Sequence, residues 1–235
     1  MKTVVTVLLP LLVLFSAVLP ARAAVTPEYI VLVGGPSLIE WEKYKGPAAH
    51  DHWWANFIRA ARIRTEQLRN SYGPDAKITW LVYKQGYVDR GKQEKMDLLP
   101  FIASVRDKFD LNLVYIRDGE DVIDYLNHGQ PRDQMKVAFF EYFGHSNAAC
   151  FMFDYSSNVD SASKSWLHDS QFAKIDRSVF TRDAEIRSWG CYTGLRMAKT
   201  WHNTIGNRMW GVTGKTQYMT DELPVIATAG ARWTN

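Results

Sequence analysis

The sequence predicts a single α/β domain built on a mostly parallel sheet with helices on both faces. Three observations support this. Short β-branched or aromatic runs recur along the chain, helical patterns with one apolar face separate them, and 46% apolar residues over 235 positions supply a sizeable core. Strands separated by helices pair in parallel, because the chain crosses back over the sheet before the next strand begins.

Each element has its own signal. The run from Tyr29 to Val33 is apolar and closed by Gly34 and Gly35. Runs from Ile78 to Tyr83, Leu111 to Ile116, Val137 to Phe143, Glu185 to Trp189 and Met209 to Val212 follow, each bounded by polar or glycine-containing segments. Asp51 suits an N-cap for a helix that puts Trp54, Phe57, Ile58, Ala61 and Leu68 on one face and Arg59, Arg62, Arg64 and Arg69 on a mostly solvated one. Further helices are expected from Leu98 to Phe109, from Glu120 to Leu126 ahead of Gly129 and Pro131, and from Leu195 to Ile205 before Gly206.

The chain begins with a targeting pattern. Lys2 precedes an almost wholly apolar stretch from Val4 to Leu19, and Ala21-Arg22-Ala23 has the small-x-small form read by signal peptidase. Residues 1–23 are therefore expected to be a signal peptide and residues 24–235 the domain, exported to a periplasmic or extracellular, oxidising compartment with no stable membrane insertion after cleavage. Losing Lys2 and Arg22 reduces the 28 basic residues to 26 against 25 acidic, so the formal +3 falls to +1. No composition argument for a nucleic-acid partner remains.

In a parallel sheet, ligands bind beyond the carboxyl ends of the strands. Two such ends carry chemistry. Val137 to Phe143 runs into Gly144-His145-Ser146-Asn147, and Glu185 to Trp189 runs into Gly190-Cys191-Tyr192-Thr193-Gly194. If the strands are neighbours, the imidazole and thiol face one crevice, with His145 as general base toward Cys191 and general acid toward a leaving amine. Cys191 also precedes an expected helix N-terminus, whose N–H groups and dipole favour a thiolate. The backbone N–H groups of Ser146 and Cys191 are candidates for an oxyanion hole.

Phe-Gly-His-Ser and Ser-Trp-Gly-Cys-Tyr-Thr-Gly, each after an apolar strand, resemble the caspase, legumain, gingipain and separase group of cysteine peptidases. His145 lies 46 residues before Cys191 (191 − 145), the reverse of the papain order and near the roughly 50-residue separation in caspases. The resemblance implies a caspase-like three-layer sandwich, a His145/Cys191 catalytic dyad, a peptide or protein substrate, a thioester intermediate and no cofactor. Ser146 stands where the group usually has glycine, and Gly-Cys-x-Thr-Gly is nearer the separase-like block than the caspase one.

Competing readings remain for several residues. An exported protein with two cysteines commonly joins them, so a Cys150–Cys191 disulfide on a catalytically silent binding or structural module is the alternative. Cys150, in Ala-Ala-Cys-Phe-Met-Phe, reads as a buried strand residue. Asp154 suits either a pocket for a basic substrate side chain or a solvated turn, and Trp189 and Trp210 suit a groove wall or half-buried packing. Glu141 shares a strand face with His145 but lies about 13 Å away along an extended chain, too far to orient the ring. His50-Asp51-His52 reads as a helix-capping segment, not a metal site, and no metal is expected. Gly211 to Thr216 ends like a phosphate loop but has Met209 at the first glycine position, which favours a strand and turn. Acyl transfer to an acceptor other than water would use the same dyad.

Overall fold

The computed structural model describes residues 24–39, 53–154, 164–219 and 221–235. The signal pattern at 1–23, the Asp51 cap and the His50-Asp51-His52 segment lie outside the described residues. Strand β1 (Thr26–Val33) shows why the sheet is central: Tyr29, Val31 and Val33 enter one core and Ile30 and Leu32 the other. Burial on both faces demands a near-continuous apolar run, and each fully buried Val, Leu or Ile contributes about 1.5–3 kcal/mol. β1 is flanked by two parallel partners, β2 (Lys77–Tyr83) and β4 (Met135–Phe143).

The seven strands run in the order β12-β9-β8-β4-β1-β2-β3, with β3 at Asn112–Ile116, β8 at Phe180–Ser188, β9 at Met209–Val212 and β12 at Trp233–Thr234. All neighbours are parallel except β12, which runs antiparallel to β9. The chain builds outward from β1 through β2 to β3 on one side, and through β4, β8 and β9 on the other. The order therefore switches between β1 and β4, where doubly wound sheets open a crevice beyond their carboxyl ends.

Helices pack on both faces. Helix α1 (Asn56–Tyr72), Tyr87 of α2 (Lys84–Glu94) and Ile102 of α3 (Leu99–Phe109) join the core containing Val31 and Trp80. Helix α4 (Gly119–His128), which Asp118 caps, and α5 (Met197–Ile205) join the core around Ile30, Phe140 and Trp201. No described helix is long and apolar enough to cross a membrane. The turn after β9 leads directly into another strand, β10 (Thr216–Gln217), as expected for a segment that is not a phosphate loop.

Several details differ from the sequence reading. Helix α2 carries few apolar residues and two glycines, so its pattern is weak; tertiary packing holds it through the buried Tyr87 and Arg90. Strand β8 begins five residues before the expected Glu185, through Arg182 and Asp183, whose exposure hides the strand pattern. Of the four arginines expected to be mostly solvated, Arg64 reaches the buried carboxylate of Glu141, and Arg69 donates to the carbonyls of Phe109, Asp110 and Ala76.

Candidate active site

β4 and β8 are adjacent and parallel, with Tyr142 in register with Ser188. His145 and Cys191 each lie three residues beyond that pair. After β4 the chain turns into a small antiparallel sheet of β5 (His145–Ser146), β6 (Cys150–Met152) and β7 (Trp166–His168). The Tyr142 hydroxyl donates to the His145 carbonyl at 2.6 Å, and the Phe57 ring of α1 meets the imidazole edge-on at a centroid distance of 4.9 Å.

A third polar group, which no motif announces, touches the histidine. Ser37, just beyond β1 and 1% exposed, places its Oγ 3.0 Å from His145 Nε2. The Ser37 carbonyl in turn accepts from Arg90 Nη1 at 2.8 Å, and Arg90 is held by Glu94. Helix α2 therefore secures the loop after β1 that contacts the imidazole.

Cys191 occupies a turn, not a helix start. Residues between it and α5 form a run of turns, with Tyr192 at φ 64°, a left-handed conformation unusual for a bulky residue. The first N–H groups of α5 are committed elsewhere: Met197 N–H to the Ala148 carbonyl and Ala198 N–H to the Thr193 carbonyl. The expected helix N-terminus thus steadies the β5–β6 hairpin and does not act on the sulfur. The nearest donor to Sγ is the backbone N–H of Thr216, at 3.4 Å, with Thr216 Oγ1 at 3.6 Å.

Both cysteines are free thiols, so the Cys150–Cys191 disulfide is not formed. Cys150 is a buried residue of β6, as its apolar surroundings suggested, and burial, reinforced by Asp169, pushes its thiol up to about 12.

The loops carrying His145 and Cys191 interlock. Ser146 Oγ donates to the Cys191 carbonyl at 2.7 Å, and a Cβ on Gly190 would lie 2.2 Å from Ser146 Oγ and 2.7 Å from its Cβ. The serine side chain fills the space that glycine at 190 leaves. Gly190→Ala is therefore expected to cost about 1–3 kcal/mol in urea denaturation, and Ser146→Gly in the same chain should recover most of it. Independent, additive effects of the two changes would show that the loops do not share this contact.

Two main-chain donors stand here. Asn147 N–H donates to the Cys150 carbonyl, so by antiparallel alternation Ser146 sits in a non-hydrogen-bonded pair with Phe151 and its N–H points away from β6. The Cys191 N–H has no acceptor among the described residues.

Beneath the loops lies a buried polar cluster. Glu141, fully buried, accepts from Arg64 Nε and Nη2 and, at 2.7 Å, from the indole N–H of Trp189. Burial raises its carboxyl from the ordinary value, and Arg64 with Trp189 opposes that rise. As expected from its distance, Glu141 serves partners other than His145.

The pocket candidates separate. Trp189 is 8% exposed, stacked on Phe143 and edge-on to Trp233, which makes it core and not a groove wall. Trp210 is exposed but pairs in register with Arg187, four residues before Cys191, and lines a depression with Phe139 and Arg208 on the sheet face. Asp154 is 8% exposed, hence not a solvated turn residue, and its charge is felt by Tyr83 at the end of β2. A cavity of about 510 Å³ lies at the opposite end of the sheet, where Glu28 is already satisfied by Thr79, Tyr125 and Arg132.

Among the described residues no group of three or more His, Cys, Asp or Glu side chains is placed to hold a metal ion. No family model and no curated protein matches the sequence.

Proposed function

We propose that this chain is a cysteine peptidase of the caspase, legumain, gingipain and separase type, in which Cys191 attacks a peptide carbonyl with help from His145. The observation that carries the reading is the equal placement of the two residues beyond an in-register pair on adjacent parallel strands, Tyr142 and Ser188. The resemblance of their two sequence blocks to that group agrees with it, as does a sheet with helices on both faces and one antiparallel edge strand. Residues 1–23 serve in this reading as an export signal, and the substrate is a peptide or protein met outside the cytoplasm.

The chemistry follows from the groups present. Ser37 Oγ lies 3.0 Å from Nε2, and in the tautomer whose Nε2–H donates to it the imidazole carries its basic lone pair on Nδ1. The ring takes the Cys191 proton, sulfur bonds to the carbonyl carbon, and the Ser146 and Cys191 N–H groups receive the developing oxyanion. Collapse expels the amine, which leaves with the proton from His145, and the acyl group stays on Cys191 as a thioester. Water, deprotonated by His145, then releases the acid and restores the thiol.

The experiment is digestion of a proteome-derived peptide mixture by the purified protein, with new termini identified by mass spectrometry. Reproducible new termini that vanish with Cys191→Ala support the reading. Termini that persist in that variant contradict it.

A further inference from the structure

Among the described residues, the hydrogen-bonding contacts around Sγ all come from one, Thr216. Thr216 Oγ1 lies 2.6 Å from the Trp189 carbonyl, which has no hydrogen to give, so the single hydroxyl proton of Thr216 is spent there. Toward Cys191, 3.6 Å away, Oγ1 therefore presents only a lone pair. A lone pair attracts an S–H and repels a thiolate. The Thr216 carbonyl, 4.0 Å from Sγ, is a second acceptor on the same side.

No hydrogen bond joins Cys191 to His145: the sulfur turns toward Thr216, while Ser37 holds the imidazole. Among the described residues, Tyr142 and Tyr218 also sense a charge on Cys191, and burial raises both well above the ordinary phenol value. Tyr218 additionally accepts from Gly144 N–H at 2.9 Å, one residue before the histidine.

We propose that Thr216 is a resting latch on the nucleophile: its hydroxyl oxygen accepts from the Cys191 S–H and holds the sulfur on the Thr216 side until an occupied site brings it to the imidazole. The Thr216 N–H stays within reach of sulfur and supports the thiolate once the proton has moved to the ring. The purpose assigned to this latch rests on the peptidase reading; the latch itself is a statement about the thiol. Thr216 is a positioning residue and touches no substrate in this scheme.

The test reads the thiol, not turnover. In the full-length protein, the infrared S–H stretch of Cys191, identified by its loss in Cys191→Ser, is expected at neutral pH and at a hydrogen-bonded frequency. In Thr216→Val it should move to a higher frequency, and the rate of Cys191 alkylation by iodoacetamide at pH 7 should rise about threefold, a larger thiolate fraction being partly offset by weaker intrinsic nucleophilicity. Thr216→Ser should match the wild type in both, and Thr216→Ala replaces valine if that variant does not fold. Absence of a Cys191 S–H band in the wild type, or an unchanged frequency and rate in the folded variant, overturns the latch. Failure of the peptidase reading would appear separately, as absent cleavage by a wild-type protein whose thiol behaves as described.

Discussion

Cys191→Ala is expected to lower peptide cleavage by roughly 10⁴-fold or more, and His145→Ala by about 10²–10⁴-fold, with both proteins unfolding at wild-type urea concentrations. The asymmetry has a physical basis. Without the sulfur no acyl intermediate forms, whereas without the imidazole a small thiolate fraction still attacks and the oxyanion donors remain. The two losses should not add, because the base has nothing to activate once the nucleophile is gone. Neither side chain carries a large structural load: both are only partly buried, and the loops are joined by Ser146 Oγ donating to the Cys191 main-chain carbonyl and by the close packing of Ser146 on Gly190. A double variant much slower than Cys191→Ala alone would show that the two act in separate reactions.

The second large effect is on stability. Glu141→Ala removes the carboxylate that accepts from Arg64 and from the Trp189 indole, leaving Arg64 Nε and Nη2 and the indole N–H without that acceptor, while Arg64 Nη1 keeps its bond to Gln67. A cost of about 3 kcal/mol is expected, near the lower end for breaking a buried pair because the Arg64 side chain keeps 15% of its exposure. Trp189 is two residues before Cys191, and its carbonyl receives the Thr216 hydroxyl, so this variant should also lose activity while folded. Urea denaturation checks the first effect and cleavage rates in the absence of denaturant the second. A stable, fully active Glu141→Ala protein would mean that the cluster supports neither.

The strands were legible because each central one is buried on both faces and must read as an apolar run, as Tyr29 to Val33 and Val137 to Phe143 do. The positions of His145 and Cys191 at strand ends followed from the same runs. What escaped was set by tertiary contacts between residues without local pattern. Ser37 and Thr216 are ordinary loop and short-strand residues in sequence, and only the adjacency of β1 with β4 and of β8 with β9 brings them to the imidazole and the sulfur. Helix α2 escaped because its buried members include an arginine and two glycines instead of an apolar stripe. The helix expected directly after Cys191 begins only at Met197, since Tyr192 takes a left-handed conformation that a helix cannot accommodate. That difference moves the source of electrostatic support for a thiolate from a helix end to the Thr216 N–H.

The dyad can be read most directly by treating the full-length protein with a panel of peptidyl acyloxymethyl ketones differing in the residue next to the ketone, followed by peptide mass mapping. A single adduct on Cys191 is predicted for at least one member of the panel, absent or at least about a hundredfold slower in His145→Ala, with Cys150 unmodified because burial holds its thiol neutral. Modification of Cys191 at the same rate in His145→Ala, or no modification of wild-type Cys191 by any member, would contradict a His145/Cys191 dyad acting on peptide carbonyls.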